Sequence, residues 1–348
     1  VNSLGHSHPE LLKALEGQAK QIWHHSNYLA SEPSIALAKS LVELTFAEKV
    51  FFSNSGSEAN ETAIKLARKY QHSKGKDKTE IIAFKNAFHG RSLLNISLGS
   101  SKLHKEGFGP LDNSIKRAEF NKINSVRECI STKTAAIIIE PIQGEAGVYA
   151  ADKDFLISLR EICDENEILL IFDEVQSGVG RTGELFSYMK YEVEPDILTS
   201  AKGLGSGIPI GATLTKDKFA ESLTLGSHGS TFGGNPLACA VSAKVLDLVK
   251  QVNFLDKVKQ KEKILRNGLV EVSNKHQAFS QIRSEGLWFG CDLSKQDKVN
   301  SLLDLCYREG LIAVSAGTST LRMAPALNIS ESDIQEGLFK LDKALEKF

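Results

Sequence analysis

An acid and an amine follow two strand-like stretches of this chain of 348 residues. Asp173 ends an apolar run that begins at Ile168, and such a run predicts a strand buried on both faces. Lys202 follows a second strand-like run, 196–199, and begins a glycine-rich turn. Charged groups at the carboxyl ends of parallel strands lie where open α/β sheets bind their ligands.

The chain between Asp173 and Lys202 is long enough for one helical crossover and a return strand, which would bring both side chains to one sheet edge. A lysine that forms a Schiff base and an acid that keeps a pyridine nitrogen protonated suit a pyridoxal phosphate (PLP) site. Each residue also has a plainer interpretation. An acid after an apolar run often caps the next helix, and Lys-Gly is a common helix end.

Length and composition limit the classes of protein to consider. A chain of this length with 41% hydrophobic residues predicts two domains. Its 42 basic and 43 acidic residues give no sign of a nucleic-acid surface or a polybasic membrane anchor. No apolar run approaches the roughly 18 residues of a transmembrane helix. The five scattered cysteines indicate buried thiols in a reducing, cytoplasmic compartment, with neither a disulfide frame nor a metal site.

A small-residue turn is a candidate anion site. The strand-like run 49–52 breaks into the turn 53–60, from which a helix continues. This geometry presents free backbone N–H groups to an anion, with Gly56 allowing close approach and Ser57 adding a hydroxyl. A plain helix N-cap with Glu58 in the first turn explains the same residues. The turn lacks the P-loop pattern, which disfavours a nucleotide hydrolase.

Two further side chains could contact a planar, charged ligand. Phe88 could stack on a ring, and Arg91 could bind a carboxylate through two hydrogen bonds. Taken singly, Phe88 also fits a core position and Arg91 a solvated one. The loop 227–236 is polar and glycine-rich, and such loops inside compact domains are usually functional.

Strands alternate with helices up to about residue 245, which predicts a three-layer α/β domain with a mostly parallel sheet. Beyond it, long charged helices, a strand at 286–290 and a helix from Asp297 to Arg308 predict a smaller α+β domain. We expect residues 31–245 to bind the cofactor, 246–348 to form the small domain, and 1–30 to be its N-terminal part. Because Val1 starts in the middle of a structured pattern, we expect residues upstream of it to be missing.

The motifs together resemble the class III PLP-dependent aminotransferases, which have the fold-type-I architecture. The similarity covers essentially the whole sequence, and order and spacing make it specific where single motifs are weak. Within the family, the chain is most similar to the acetylornithine aminotransferases. The resemblance rests on the stretches Leu4–Pro9, Trp23–Asn27, Phe51–Glu61, Phe88–Arg91, Gly107–Pro110 and His228–Pro236.

The resemblance implies a role in cofactor binding for seven of the candidate residues. Lys202 would be the Schiff-base lysine and Asp173 the partner of the pyridinium nitrogen, and these two form the catalytic pair. A homodimer with shared active sites is also implied. The other cofactor contacts would be Gly56 and Ser57 at the phosphate, Phe88 against the ring, Gln176 at the phenolic oxygen, and Thr231 at the phosphate of the neighbouring subunit.

The resemblance also implies how substrates bind. Arg91 and Ser230 would hold the acylated amino-acid end of the donor. Glu145 would hold Arg322 until Arg322 binds the α-carboxylate of glutamate or 2-oxoglutarate. The stretch 323–327 departs from the sequence that is usual in the family after this arginine.

The reaction implied by the resemblance moves the δ-amino group of N2-acetylornithine to 2-oxoglutarate with ping-pong kinetics, in arginine biosynthesis. Succinylornithine, ornithine and 4-aminobutyrate are alternative donors within the same class. A non-catalytic binding protein that keeps the scaffold is a remote alternative, and a protein that gains no visible absorbance with added PLP would favour it.

Overall fold

The computed structural model of the chain describes residues 1–295 and 298–348. Its strands are β1 (Lys49–Ser53), β2 (Glu80–Phe84), β3 (Ile115–Ala118), β4 (Thr134–Ile139), β5 (Ile142–Gln143), β6 (Tyr149–Ala150), β7 (Leu169–Asp173), β8 (Ile197–Ser200), β9 (Gly211–Thr215), β10 (Phe279–Ser284), β11 (Phe289–Leu293), β12 (Val314–Ala316) and β13 (Thr320–Met323). Its α-helices are α1 (Pro9–Ala19), α2 (Glu32–Leu44), α3 (Gly56–Ser73), α4 (Leu93–Leu98), α5 (Ile123–Cys129), α6 (Lys153–Glu165), α7 (Ser187–Tyr191), α8 (Asp217–Ala220), α9 (Pro236–Val249), α10 (Phe254–His276), α11 (Val299–Arg308) and α12 (Glu331–Leu345).

The larger sheet has seven strands in the order β1-β9-β8-β7-β4-β2-β3. All neighbours from β3 to β8 are parallel, whereas β9 is antiparallel to both β8 and β1. The prediction of a mostly parallel sheet is confirmed. Because β7 and β8 are parallel neighbours, the residues that follow them come to the same edge of the sheet.

Strands β4 and β7 are buried at every residue, which explains their unbroken apolar sequences. Successive side chains of β4 enter two different cores. Ile137 and Ile139 pack among residues of α2, α6 and α9, whereas Ala136 and Ile138 pack with residues of α3. Helices therefore cover both faces of the sheet, as expected for the fold-type-I, three-layer α/β architecture.

A second sheet has four antiparallel strands in the order β10-β11-β13-β12. It shares a separate apolar core with α10, α11 and α12. The last helix, α12, packs one apolar face into this core through the buried side chains of Ile334, Leu338, Leu341 and Leu345.

The strand and the helix expected between residues 286 and 308 differ in part from the elements in the structure. The strand expected at 286–290 lies at β11 instead, because Gly286 turns the chain with a φ of 58°. A Cβ at Gly286 would lie 2.4 Å from the carbonyl oxygen of Arg181, so packing against another part of the chain sets this turn. The expected helix start, Asp297, lies outside the described residues, and α11 agrees with the remainder of that helix.

The first thirty residues contact both cores. Leu4 and Leu11 pack in the core of the larger sheet, whereas the N–H of Leu327 donates to the carbonyl of Ser3 at 2.7 Å. The division into 1–30, 31–245 and 246–348 stays a prediction. None of the helices in the described ranges is long and apolar enough to cross a membrane.

Candidate active site

The carboxyl ends of four neighbouring parallel strands meet at a cavity of about 450 Å³. Strands β2, β4, β7 and β8 lead to the lining residues Phe88, Glu140, Asp173 and Lys202. This volume lies within the range of roughly 300–1,000 Å³ that is usual for small-molecule sites. The sheet therefore brings Asp173 and Lys202 together, as their spacing predicted.

Lys202 begins the short turn after β8 and has a φ of 40°, a backbone conformation that residues other than glycine rarely adopt. Burial lowers the pKa of its amine, and the nearby carboxylates of Asp173 and Glu145 oppose that shift. A lowered pKa increases the neutral fraction of the amine. The neutral amine is the form that attacks an aldehyde or accepts a proton.

Asp173 is 4% exposed and accepts three hydrogen bonds. Its Oδ2 accepts from Nδ2 of Asn60 at 2.8 Å and from Nδ1 of His89 at 2.7 Å. Its Oδ1 accepts from the N–H of Val175 at 3.0 Å. These contacts hold the Asp173 carboxylate in place at the cavity, where it can face a positively charged ring nitrogen.

Asp173 is followed directly by a second acid, Glu174. Of these two acids, Glu174 is the one that caps a helix. The Glu174 carboxylate accepts from the N–H of Ser187 at 2.6 Å and from the N–H of Tyr188 at 2.8 Å, in the first turn of α7. Neighbouring acids thus have different tasks, because successive residues at the end of a strand face opposite sides.

The N-terminus of α3 fits a phosphate group. Gly56 and Ser57 line the cavity, and within the described part of the chain their backbone N–H groups have no hydrogen-bond partner. The Ser55 hydroxyl accepts from the N–H of Glu58 at 3.2 Å, so this turn is also a helix N-cap. A side chain at Gly56 would lie 2.6 Å from a methyl group of Val175. These unpaired donors, with the amine and the acid nearby, match the polar groups of PLP.

Phe88 and Arg91 lie together at the cavity wall. The guanidinium carbon of Arg91 is 5.5 Å from the centre of the half-buried Phe88 ring. The Arg91 side chain is exposed, and it makes no hydrogen bond or ion pair to the residues that the structure describes. It is therefore available to a ligand carboxylate.

Gln176, Glu145 and Arg322 form a chain of contacts beside the cavity. Nε2 of Gln176 donates to Oε1 of Glu145 at 3.3 Å, and Nη1 of Arg322 donates to the same oxygen at 2.9 Å. Burial raises the pKa of Glu145, but the charges of Arg322 and Lys202 outweigh it and leave the pKa below the ordinary value. Glu145 is thus an ionised partner that occupies Arg322.

Four predicted residues lie outside the cavity lining: Glu145 and Arg322, which Gln176 connects to it, and Ser230 and Thr231. The hydroxyl of Ser230 accepts from Nδ2 of Asn54 at 3.0 Å, and Asn54 lines the cavity, so Ser230 is one residue removed from it. Thr231 is exposed on the surface of the chain. Its expected contact with a phosphate requires a second copy and stays a prediction.

Four polar residues at this site were not found from the sequence: Asn60, His89, Glu140 and Thr199. The Thr199 hydroxyl donates to Oδ1 of Asn60 at 2.7 Å, and Nδ2 of Asn60 donates to the His89 carbonyl at 2.8 Å. Within the described residues, the buried Nε2 of His89 has no partner. Glu140 follows β4 as Asp173 ends β7, and this shared position could have indicated it.

Replacing Asn60 with alanine is expected to lower the free energy of unfolding by about 1–3 kcal/mol, because it leaves buried polar groups unpaired. Asp173 would lose one donor and Thr199 its acceptor. Urea denaturation of the protein with and without PLP measures this loss. The exposed Asn124→Ala is the control, and equal effects of the two substitutions would contradict the assigned network.

A half-buried lysine and a buried, hydrogen-bonded aspartate at the carboxyl edge of a fold-type-I sheet are typical of PLP-dependent enzymes. A family model described as "Aminotransferase class-III" matches residues 1–345. The chain belongs to the class III aminotransferase family, and it is a PLP-dependent aminotransferase.

Several aminotransferases are similar to this chain over nearly its whole length. The chain is 52% identical over 351 residues to a succinylornithine transaminase of Photorhabdus laumondii, covering 100% of this chain and 87% of that protein. It is 48% identical to an acetylornithine aminotransferase of Shewanella oneidensis, covering 99% and 86%. Among solved structures, an ornithine aminotransferase from Toxoplasma gondii with partial occupancy of PLP superposes with a TM-score of 0.94 at 28% identity, covering 99% and 83%.

Proposed function

We propose that the protein transfers the δ-amino group of an N2-acylated ornithine to 2-oxoglutarate, with N2-acetylornithine as the donor, as part of arginine biosynthesis. The names of the relatives from Photorhabdus laumondii and Shewanella oneidensis support an acylated ornithine and leave succinylornithine as the second candidate. Both donors have the same amine, so the acyl group is the point that experiment must decide.

This proposal rests on a difference between Arg322 and Arg91 in the contacts of their side chains. Glu145 holds Arg322, whereas the Arg91 side chain makes no hydrogen bond or ion pair to the described residues. An ω-amino donor brings its amine to Lys202 and its distant carboxylate to Arg91. Glutamate has a carboxylate next to its amine, and we propose that Arg322 leaves Glu145 to bind it. One site can then accept both substrates in turn.

The chemistry that PLP supplies when bound is the uptake of the electrons released at the amino-bearing carbon. Nζ of Lys202 is the base that removes the proton from that carbon, and its lowered pKa favours the neutral form. Asp173 presents a carboxylate that Asn60, His89 and the N–H of Val175 hold in place. The free N–H groups of Gly56 and Ser57 bind phosphate.

Donor specificity tests this function directly. With 2-oxoglutarate as acceptor, we expect kcat/KM to be higher for N2-acetylornithine than for succinylornithine, and higher for either than for ornithine or 4-aminobutyrate. A preference for succinylornithine would correct only the acyl group. A preference for free ornithine or 4-aminobutyrate would overturn the proposal.

Replacing Arg322 with alanine is expected to raise the KM for glutamate and 2-oxoglutarate about 10- to 100-fold, because a hydrogen bond to a charged group contributes roughly 1.5–3 kcal/mol. The KM for N2-acetylornithine should change much less, since Arg322 is then paired with Glu145. Steady-state kinetics with each substrate varied give this comparison. The matched control is Arg91→Ala, for which we expect the opposite pattern.

We also propose a homodimer that completes the site. Trp23, Tyr28 and Leu29 are exposed, and they are continuous with exposed Phe232 because Nδ2 of Asn27 donates to the Ser230 carbonyl at 2.6 Å. An exposed apolar surface of this kind is typical of a protein interface. A second copy on this surface would bring its Thr231 towards the phosphate site.

Light scattering of the purified protein is expected to give twice the mass of the chain. Thr231→Ala should weaken PLP binding without changing that mass. A fully active monomer would contradict the shared site.

A further inference from the structure

Glu140 is a buried acid at the active site that the proposed chemistry does not use. It directly follows β4, is 3% exposed, and lines the same cavity as Asp173 and Lys202. A carboxyl group buried at this depth is costly unless its surroundings compensate for the lost water. Its contacts therefore indicate what it does.

The two oxygens of Glu140 have different surroundings. Oε2 accepts from the backbone N–H of Phe88 at 2.9 Å. Oε1 makes no hydrogen bond to the described parts of the chain, in a side chain that borders the cavity. Strands β2 and β4 are parallel neighbours, so this contact ties the segment after β2 to the end of β4. Glu140 thereby fixes the backbone that carries the Phe88 ring.

The surroundings of Glu140 favour its neutral form. The charged or titratable groups facing it are Asp173 from β7, Lys202 after β8, Glu145 after β5 and His89 beside Phe88. Burial, and then the charge of Asp173, raise the pKa of Glu140 well above its ordinary value, and Lys202 opposes them only in part.

A nearby like charge favours the neutral form of an acid, and hydrogen bonds accepted by its carboxylate oppose that effect. Asp173 accepts three hydrogen bonds, whereas Glu140 accepts one. Fewer hydrogen bonds thus compensate for a charge on Glu140, and Glu140 is the acid that keeps its proton.

We propose that Glu140 is a positioning residue that acts as a neutral acid. One oxygen accepts from the Phe88 N–H and sets the aromatic wall, while the protonated oxygen donates a hydrogen bond into the cavity, to the cofactor or to a water beside it. The inference rests on the proposed function in one respect, which is that PLP occupies this cavity against Phe88.

Glu140→Gln and Glu140→Ala separate this role from that of a carboxylate, because glutamine keeps both an acceptor and a donor without the charge. We expect Glu140→Gln to bind PLP within about threefold of the unchanged protein, and Glu140→Ala about tenfold more weakly. Absorbance titration with PLP gives the dissociation constants. Equal weakening in both variants, or none in Glu140→Ala, would overturn the proposal.

Thermal unfolding of the PLP-free proteins tests the neutral form without the cofactor. When folding raises the pKa of a carboxyl, the free energy of unfolding falls as the pH rises above the unfolded pKa, because the folded state binds more protons. The midpoint of Glu140→Gln should therefore rise relative to that of the unchanged protein between pH 5 and pH 8. A difference that stays constant or falls would contradict the neutral acid.

The failure of this inference can be distinguished from that of the proposed function. If the unchanged protein does not attach PLP at Lys202, the proposed function fails, and the pH dependence of the PLP-free proteins still decides whether Glu140 is neutral. If PLP does attach there, the Gln and Ala variants decide the positioning role.

Discussion

Replacing Lys202 with alanine is expected to lower kcat by about 10⁴-fold, the upper end of what a positioned proton-transfer group contributes. Lys202 is the only lysine among the residues that line the cavity in the described structure, and its strained backbone directs it there. The variant should still bind PLP through the N-terminus of α3, but without a covalent bond. Single-turnover kinetics with N2-acetylornithine measure the loss.

Lys13→Ala is the matched control, because Lys13 is exposed on α1 and does not line the cavity. It should keep full activity. If Lys202→Ala transaminated at a rate within a few-fold of the control, another group would be the base, and the assignment of Lys202 would be wrong.

Replacing Asp173 with alanine is expected to lower kcat by roughly 10²–10⁴-fold, since breaking a buried ion pair costs about 3–5 kcal/mol. The ring nitrogen would no longer face a carboxylate, so it would lose its proton and accept electrons less well. Asp173→Asn keeps the shape but removes the charge, and we expect nearly the same loss. The pH dependence of the bound cofactor's absorbance reports the change directly.

The fold should survive these substitutions, and circular dichroism with thermal unfolding checks that it does. Asp154→Asn serves as the control, because Asp154 is exposed in the first turn of α6. Normal turnover by purified Asp173→Ala would reject the role assigned to this acid.

Much of the larger domain can be predicted from the sequence, because burial determines which residue types its central strands contain. A strand covered on both faces needs apolar residues throughout, so β4 and β7 are recognisable as unbroken runs. Parallel neighbours then bring Asp173 and Lys202 to one edge. The order and spacing of the motifs supplied the family, which the family model confirms.

The remaining features depend on contacts between distant parts of the chain. Asn60 lies on the inner face of α3, and only the packing of α3 on the sheet brings it to Asp173 and Thr199. The strand expected at 286–290 begins instead at Phe289 (β11), because Gly286 packs against the carbonyl of Arg181, over a hundred residues earlier. Local patterns carry no record of such contacts.

The proposed function depends on the covalent attachment of PLP to one lysine, Lys202. Borohydride reduction of the PLP-loaded protein, followed by proteolysis and peptide mass mapping, locates the labelled residue. We predict a single label on Lys202, at a stoichiometry of about one per chain. A label on any other lysine, or no label on a protein that binds PLP and turns over its substrates, would contradict it.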